Sequence, residues 1–280
     1  IRQKKAEWLT GLIENYYKDK KVQIRCLNPY ELTYEGEWNY VNGILKHFPH
    51  SHFIVHNITG YSPGVIFEVG CSISLNKRLV LVWDTSLEPF AESNLPNLLK
   101  FTNIFQIDFL KMQQSKKKLW SIFDSIDWAT RDATKQILIH DSKRDRLAYR
   151  YRPRDIEPDP QKVFVVVNEK WKEFKKVLLK RISEFGFSPV LPHDFTIEVE
   201  LYRYIEGVET CAYSVVDITD DDLNGMLALG IARARERRAV EFRKYGSRDA
   251  KMFDGLKREW RDETLQDDID AILPSLLVKS

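Results

Sequence analysis

Hydrophobic residues follow two different spacings along this chain. Short apolar runs of about four to eight residues predict buried strands, and longer stretches with apolar residues every three or four positions predict amphipathic helices. In the first 130 residues the predicted strands are 22–27, 52–57, 78–84 and 101–109, and the predicted helices are 4–19, 38–48, 63–75 and 115–128. Strands that alternate with helices favour a parallel sheet covered on both faces.

Residues 131–161 interrupt this alternation. They hold a candidate hairpin and the Pro-rich charged segment RPRDIEPDPQK, which we interpret as a linker. Beyond it the predicted strands are 162–168, 188–192, 213–219 and 238–244, and the predicted helices are 169–187, 197–212, 223–236, 249–262 and 265–277. We therefore predict an α/β protein with two domains, 1–130 and 162–280.

The two predicted domains look like two copies of one unit. Residues 52–82 can be laid over 213–242 with one residue fewer in the second loop, which matches Gly70 with Gly230. The second copy opens on the strand 162–168, whereas the first opens on a helix. We therefore expect two tandem flavodoxin-like domains, each a doubly wound parallel sheet, with the first strand of the first domain missing from this chain.

Composition narrows the range of partners. The chain is 43% hydrophobic, and its 43 basic residues nearly balance its 41 acidic residues. This balance argues against nucleic acid or an acidic membrane surface as a partner. The stretch 143–154 interleaves Arg with Tyr, as nucleic-acid-binding segments do, but with a balanced overall charge a solvated hairpin or an interdomain contact explains it better. Three widely spaced cysteines and the lack of a membrane-length apolar stretch lead us to expect a cytoplasmic protein with reduced thiols.

The centre of each copy carries a motif. In the full motif a strand ends in Asp, a loop contains Thr and Asn, a helix opens on Val-x-x-Glu-Leu-Gly, and basic residues precede a hydrophobic strand. The helices contain GVIFEVG in the first copy and GMLALG in the second. This pattern resembles the nucleoside 2-deoxyribosyltransferase-like family, including the related TIR-like domains common in bacterial defence systems.

The resemblance implies roles for particular residues. In that family the helix glutamate attacks or stabilises the anomeric carbon while an N-glycosidic bond breaks, which here would be Glu68. The strand-end aspartate that contacts the sugar or orients the site would be Asp217 in the second copy, and the loop asparagine would be Asn224. The first copy has His56 or Asn57 where the aspartate is expected.

Neither copy has the complete pattern. The first keeps Glu68 but has Gly64 in place of the asparagine, and the second carries Ala228 at the glutamate position. The resemblance therefore implies that any catalysis belongs to the first copy, with the second a degenerate domain.

Glu68 also stands out by itself, as a carboxylate inside an apolar run. Burying an unpaired carboxylate costs several kcal/mol unless it is hydrogen-bonded, paired or protonated. Ser62 and Pro63 suit a helix start at the carboxyl edge of the sheet, where open α/β sheets bind ligands. A carboxylate there can attack or stabilise a ribose on which positive charge develops. The alternative is a structural glutamate paired with an arginine or tyrosine.

Other polar residues end predicted strands at the same edge. Asn28, Tyr30 and Asp84 could contact a ribose or base, although loop capping is the simpler explanation. The acidic run 220–222 could bind a cation, but acidic residues before a helix more often complement its dipole.

The histidines clustered between 47 and 56 could suggest a metal site. They lack a carboxylate or cysteine at ligand spacing, so we predict no metal site.

We therefore expect an enzyme that acts on a nucleoside, a nucleotide or NAD, with no cofactor and with NAD as a candidate substrate. It would form a homo-oligomer or work within a complex. The alternative is a catalytically inactive module that senses a nucleotide or binds a protein and so regulates an effector.

Overall fold

The fold is described from a computed structural model. The described residues are 2–27, 40–75, 77–91, 99, 104–111, 116–121, 123–124, 156–197, 200–247 and 258–277. The architecture is α/β, with helices packed around one three-stranded and one five-stranded parallel sheet.

The three-stranded sheet lies in the first half of the chain. Its strands are β1 (Phe53–Asn57), β2 (Arg78–Asp84) and β3 (Ile104–Ile107), in the order β1-β2-β3. Its helices are α1 (Arg2–Asp19), α2 (Tyr40–His47) and α3 (Pro63–Ser74), and a short 3₁₀ turn, Phe48–His50, leads into β1. Residues 116–121 are also helical.

The five-stranded sheet lies in the second half. Its strands are β4 (Asp159–Val166), β5 (Ser188–Val190), β6 (Cys211–Asp217), β7 (Arg238–Lys244) and β8 (Glu259–Trp260). Its helices are α4 (Lys172–Glu184), α5 (Glu200–Thr210), α6 (Leu223–Ala234) and α7 (Leu265–Leu276). The strand order β5-β4-β6-β7-β8 is that of flavodoxin-like folds.

Alternate residues of each strand enter different cores, as the two-residue period of a strand requires. Leu81 of β2 faces a central core, whereas Val80 and Val82 face an outer core with α1. In the second sheet Val216 faces the central core and Val215 a second outer core. Both sheets therefore have one face on a common core, which α3 and α6 fill.

Helices α3 and α6 cross at two glycines. A Cβ atom on Gly70 would lie closer than 3.0 Å to the carbonyl oxygen of Leu227, and one on Gly230 would lie equally close to the carbonyl oxygen of Phe67. The backbone nitrogens of Ile231 and Cys71 are each 3.1 Å from these Cβ positions. Each glycine therefore approaches the backbone of the other helix in the same way, as equivalent residues do across a two-fold axis.

The same backbone contacts recur at residues 160 positions apart. Both loops that precede the central helices have two consecutive residues with positive φ, which are Gly60 and Tyr61 in one and Asp220 and Asp221 in the other. The hydrogen bond from Ile58 N to Val82 O has its counterpart from Ile218 N to Phe242 O, each 2.9 Å long. The loops are therefore equal in length, and our alignment with one residue fewer in the second loop was wrong.

Two predicted elements were also wrong. Residues 22–27 form no strand. The strand of the five-stranded sheet that corresponds to residues 22–27 is β5, and β5 pairs only with β4. The described part of the first sheet has no strand in the position of β4, so residues 22–27 have no strand to pair with there. An apolar run becomes a strand only where a neighbour takes its backbone hydrogen bonds.

The second error concerns the predicted helix 249–262. The described end of this stretch is β8, which pairs in parallel with β7 and buries Trp260 in the outer core. Residues 248–257 lie outside the described residues. Of the predicted linker, 131–155 also lie outside them, and β4 begins at Asp159, within the stretch that we had interpreted as linker.

None of the described helices combines the length and the apolar character that crossing a membrane requires.

Candidate functional site

The carboxyl ends of β1 and β2 are tied together by a threonine. Asn57 Oδ1 accepts hydrogen bonds from Thr59 N and Oγ1, at 3.2 and 2.6 Å, and Thr59 Oγ1 accepts one of 2.6 Å from Asp84 N. In the second half, Asp217 and Thr219 make the same contacts to each other. Asn57 therefore occupies the Asp217 position, which settles the choice between Asn57 and His56.

His56 faces the opposite way, into the central core, and binds Glu68. His56 Nδ1 lies 3.2 Å from Glu68 Oε2, and His56 Nε2 lies 2.9 Å from Ser72 Oγ. The Ser72 hydroxyl donates to the backbone oxygen of Glu68, 2.9 Å away and four residues earlier in α3. We call these three residues the polar trio. Their relative exposures are 3%, 7% and 0% for His56, Glu68 and Ser72.

The second half has apolar residues at all three positions. Strand register places Val216 where His56 stands, since His56 pairs with Leu81 and Val216 pairs with Glu241, 160 residues later. The other two counterparts are Ala228 and Ala232, and all three are fully buried. The fold thus packs this helix against this strand without polar groups.

Burial decides the protonation states of His56 and Glu68. Desolvation raises the pKa of Glu68 to about 8 and lowers the pKa of His56 to about 3. At neutral pH both groups are therefore uncharged. Burial and the neighbouring Glu68 also raise the pKa of the Cys71 thiol, so Cys71 is not a reactive thiolate.

Asp217 is fully buried at the carboxyl end of β6. Its Oδ1 accepts the two hydrogen bonds from Thr219, and the backbone of Asn168 lies near the same carboxyl group. Burial raises the pKa of Asp217 to about 6, although the bonds from Thr219 oppose the shift. Nearby Asp222 raises it further, and Asp222 also caps α6 by accepting a 2.7 Å bond from Gly225 N. The capping interpretation of the acidic run is confirmed for Asp222.

Asp217→Asn is expected to stabilise the protein at neutral and alkaline pH. The folded-state pKa of about 6 lies above the ordinary 3.8, so the folded protein binds more protons between these values and loses stability as the pH rises. The gain from Asp217→Asn should be small near pH 4 and approach about 3 kcal/mol by pH 8. Urea unfolding at several pH values measures it.

Asn57→Asp is the matched control, because Asn57 has the same threonine contacts at an exposed position. It should change the free energy of unfolding by less than about 0.5 kcal/mol. A pH-independent effect of Asp217→Asn would contradict the raised pKa of Asp217.

Asp84 is also fully buried, at the carboxyl end of β2. Its Oδ2 binds the ammonium group of Lys5 from α1, and its Oδ1 accepts hydrogen bonds from the backbone and hydroxyl of Ser86. Burial alone would raise the pKa of Asp84, but the bonds from Lys5 and Ser86 outweigh it and lower the pKa. These contacts occupy both carboxylate oxygens, which fits a structural role better than ligand binding.

The remaining predicted site residues are less informative. Asn28 and Tyr30 lie outside the described residues. Asn224 is half-buried in the first turn of α6, in the half of the chain that does not contain Glu68. Within the described ranges, no three His, Cys, Asp or Glu side chains gather closely enough to hold a metal ion.

Sequence reasoning found Glu68 but missed its partners. Ser72 follows Glu68 by four residues and so shares its helix face, and this spacing could have been recognised in the sequence. The pairing of Glu68 with His56 depends on which face of β1 carries His56, and only the strand register fixes this face. No protein-family model matches the chain, and no curated protein matches it in sequence.

Proposed function

We propose that the chain cleaves or transfers the N-glycosidic bond of a nucleoside, a nucleotide or NAD, with Glu68 as the reacting carboxyl group. The observation that carries this proposal is the polar trio, a buried acid with two hydrogen-bonded neighbours at positions that are apolar in the second half. Buried polar groups are costly. Since the second half packs without them, chemistry explains the trio better than packing does.

The chemistry suits a carboxylate. When the bond between the anomeric carbon and the base nitrogen breaks, its electron pair leaves with the base and positive charge develops on the sugar. The carboxylate of Glu68 can stabilise this charge or bond to the anomeric carbon, and water or a second base then completes hydrolysis or transfer. NAD enters as a substrate, and the proposal requires neither metal nor cofactor.

We also propose that residues 1–130 and 162–280 are two copies of one domain, of which the second has lost catalysis. The contacts repeated at an interval of 160 residues and the reciprocal glycines support this division. Ala228 at the Glu68 position supports the loss of catalysis in the second copy.

A second candidate function is a module without catalysis, which senses a nucleotide or binds a protein and regulates an effector, for example in bacterial antiviral defence. The Glu68 side chain is only 9% exposed and lies against His56, and its pKa of about 8 keeps it uncharged. A carboxyl group in this state is a poor nucleophile unless it first loses its proton.

Release of free base from NAD and a nucleoside panel separates the two candidates. The full-length protein should release base, and Glu68→Gln should lower the rate by about 100-fold or more, since the amide cannot supply negative charge. Glu14→Gln, on the exposed face of α1, is the matched control and should keep the wild-type rate. Chromatography of the released base measures the rate for the wild type and for both variants.

Each contrary result has a definite meaning. Equal release by the wild type and Glu68→Gln would remove Glu68 from the mechanism. No release from any substrate would reject the enzyme and favour the second candidate, for which calorimetry with the same compounds would measure binding.

A further inference from the structure

The hydrogen bonds of the polar trio fix which imidazole nitrogen of His56 carries a proton. The Ser72 hydroxyl has one hydrogen, and it donates this hydrogen to the backbone oxygen of Glu68. Ser72 Oγ must therefore accept the hydrogen bond from His56 Nε2, so Nε2 is protonated. In a neutral imidazole, Nδ1 is then the bare acceptor, and it faces Glu68 Oε2 at 3.2 Å.

We propose that His56 is a positioning residue that takes the carboxyl proton of Glu68 through Nδ1, with Ser72 holding the imidazole in the tautomer that this transfer needs. In the transfer the O–H bond at Glu68 Oε2 breaks and an N–H bond forms at His56 Nδ1. The net charge of the pair does not change, so no proton has to enter or leave the buried site.

This inference rests on the proposed function for its catalytic consequence. Glu68 rests as an uncharged acid, because burial disfavours its carboxylate. A carboxylate is needed only when positive charge develops on the sugar. Transfer to His56 supplies it at that moment, and the imidazolium that results keeps the two hydrogen bonds already in place.

Two described neighbours of the trio, Phe48 and Cys71, do not compete for the proton. Phe48, in the turn before β1, lies beside His56 with the ring centroids 5.9 Å apart. Cys71 is the neighbouring titratable group on α3, and its raised pKa keeps its own proton in place. Burial raises the pKa of Glu68 to about 8 and lowers that of His56 to about 3, so the proton stays on Glu68 at rest and moves only when positive charge beside Glu68 lowers its pKa.

Nitrogen NMR of the full chain, labelled with ¹⁵N only in its six histidines, tests the tautomer without an activity assay. The pair of signals lost in His56→Gln identifies His56. We expect a protonated-type shift at Nε2, an unprotonated-type shift at Nδ1, and no titration between pH 8 and pH 5.

Ser72→Ala should let the other tautomer appear, because Nε2 loses its acceptor. Ser74→Ala is the matched control, since Ser74 is a buried serine of the same helix whose hydroxyl donates to Ile231 O instead. It should leave the His56 signals unchanged. A proton on Nδ1 alone, imidazolium at rest, or ordinary titration near pH 6.5 would each overturn the proposal.

An activity measurement then tests the catalytic consequence. His56→Gln should lower kcat on the order of 100-fold with little change in KM, because the substrate still binds but Glu68 has no proton acceptor. Unchanged kcat in His56→Gln would overturn the proposal. If the wild type releases no base, the proposed function fails. The NMR experiment tests the tautomer of His56 independently of that result.

Discussion

Replacing Gly70 and Gly230 together with alanine is expected to lower the free energy of unfolding by about 4 kcal/mol. Each added methyl group would lie closer than 3.0 Å to a backbone carbonyl oxygen of the facing helix. Backbone atoms cannot turn away as a flexible side chain can, so α3 and α6 must separate. Overpacking of this kind costs about 1–3 kcal/mol per site. Urea unfolding of the double variant measures the loss.

Gly11→Ala is the control for the intrinsic effect of alanine. Gly11 lies in α1, and nothing approaches its Cβ position within 4 Å. Alanine there should stabilise the protein by about 0.5–1 kcal/mol, because it restricts the unfolded chain and favours the helix. If the double variant at the crossing were as stable as the wild type, the close approach of the two helices would be refuted.

Lys5→Ala is expected to cost about 3–5 kcal/mol at pH 7, because it leaves the buried Asp84 carboxylate without its cation. The folded-state pKa of Asp84 is lowered, so the stability that the pair supplies is present above the ordinary 3.8 and is lost as the pH falls through the folded-state pKa. The effect of Lys5→Ala should therefore shrink in acid. Unfolding in urea at pH 7 and at a pH well below 3.8, about pH 2, tests this.

Two comparisons make the test specific. Lys4→Ala changes an exposed lysine one residue earlier and should be nearly neutral. Asp84→Asn should cost less than Lys5→Ala, because Lys5 is 17% exposed and can be hydrated while Asp84 is fully buried. Equal losses in Lys4→Ala and Lys5→Ala would show that the pair with Asp84 contributes nothing.

Periodicity predicted most helices and strands because both depend on local spacing. The match between Gly70 and Gly230 also followed from sequence, since glycine is the residue that a close helix crossing requires. Residues 22–27 show the limit of this reasoning. Their composition suits a strand, but a strand depends on a neighbour that no local pattern reveals.

The site was harder to predict than the fold. Glu68 was visible because a charge among apolar residues is anomalous. Its neighbour His56 was left as one of two candidates for the strand end, because the motif alone could not say which of two adjacent residues ends the strand. Asp84 looked like a ligand group because it ends a strand, while Lys5, which binds it, stands 79 residues earlier in the chain.

The repeated threonine contacts give this protein an internal reference for spectroscopy. The Thr59 and Thr219 amides each donate to the side chain that ends a strand, and the two loops share their backbone geometry. At constant pH, solvent and temperature both amide signals should stay in place. A molecule that binds beside Glu68 alone would move only the signal of Thr59. The difference between the two signals would then report occupancy from a single sample, with no second protein for comparison.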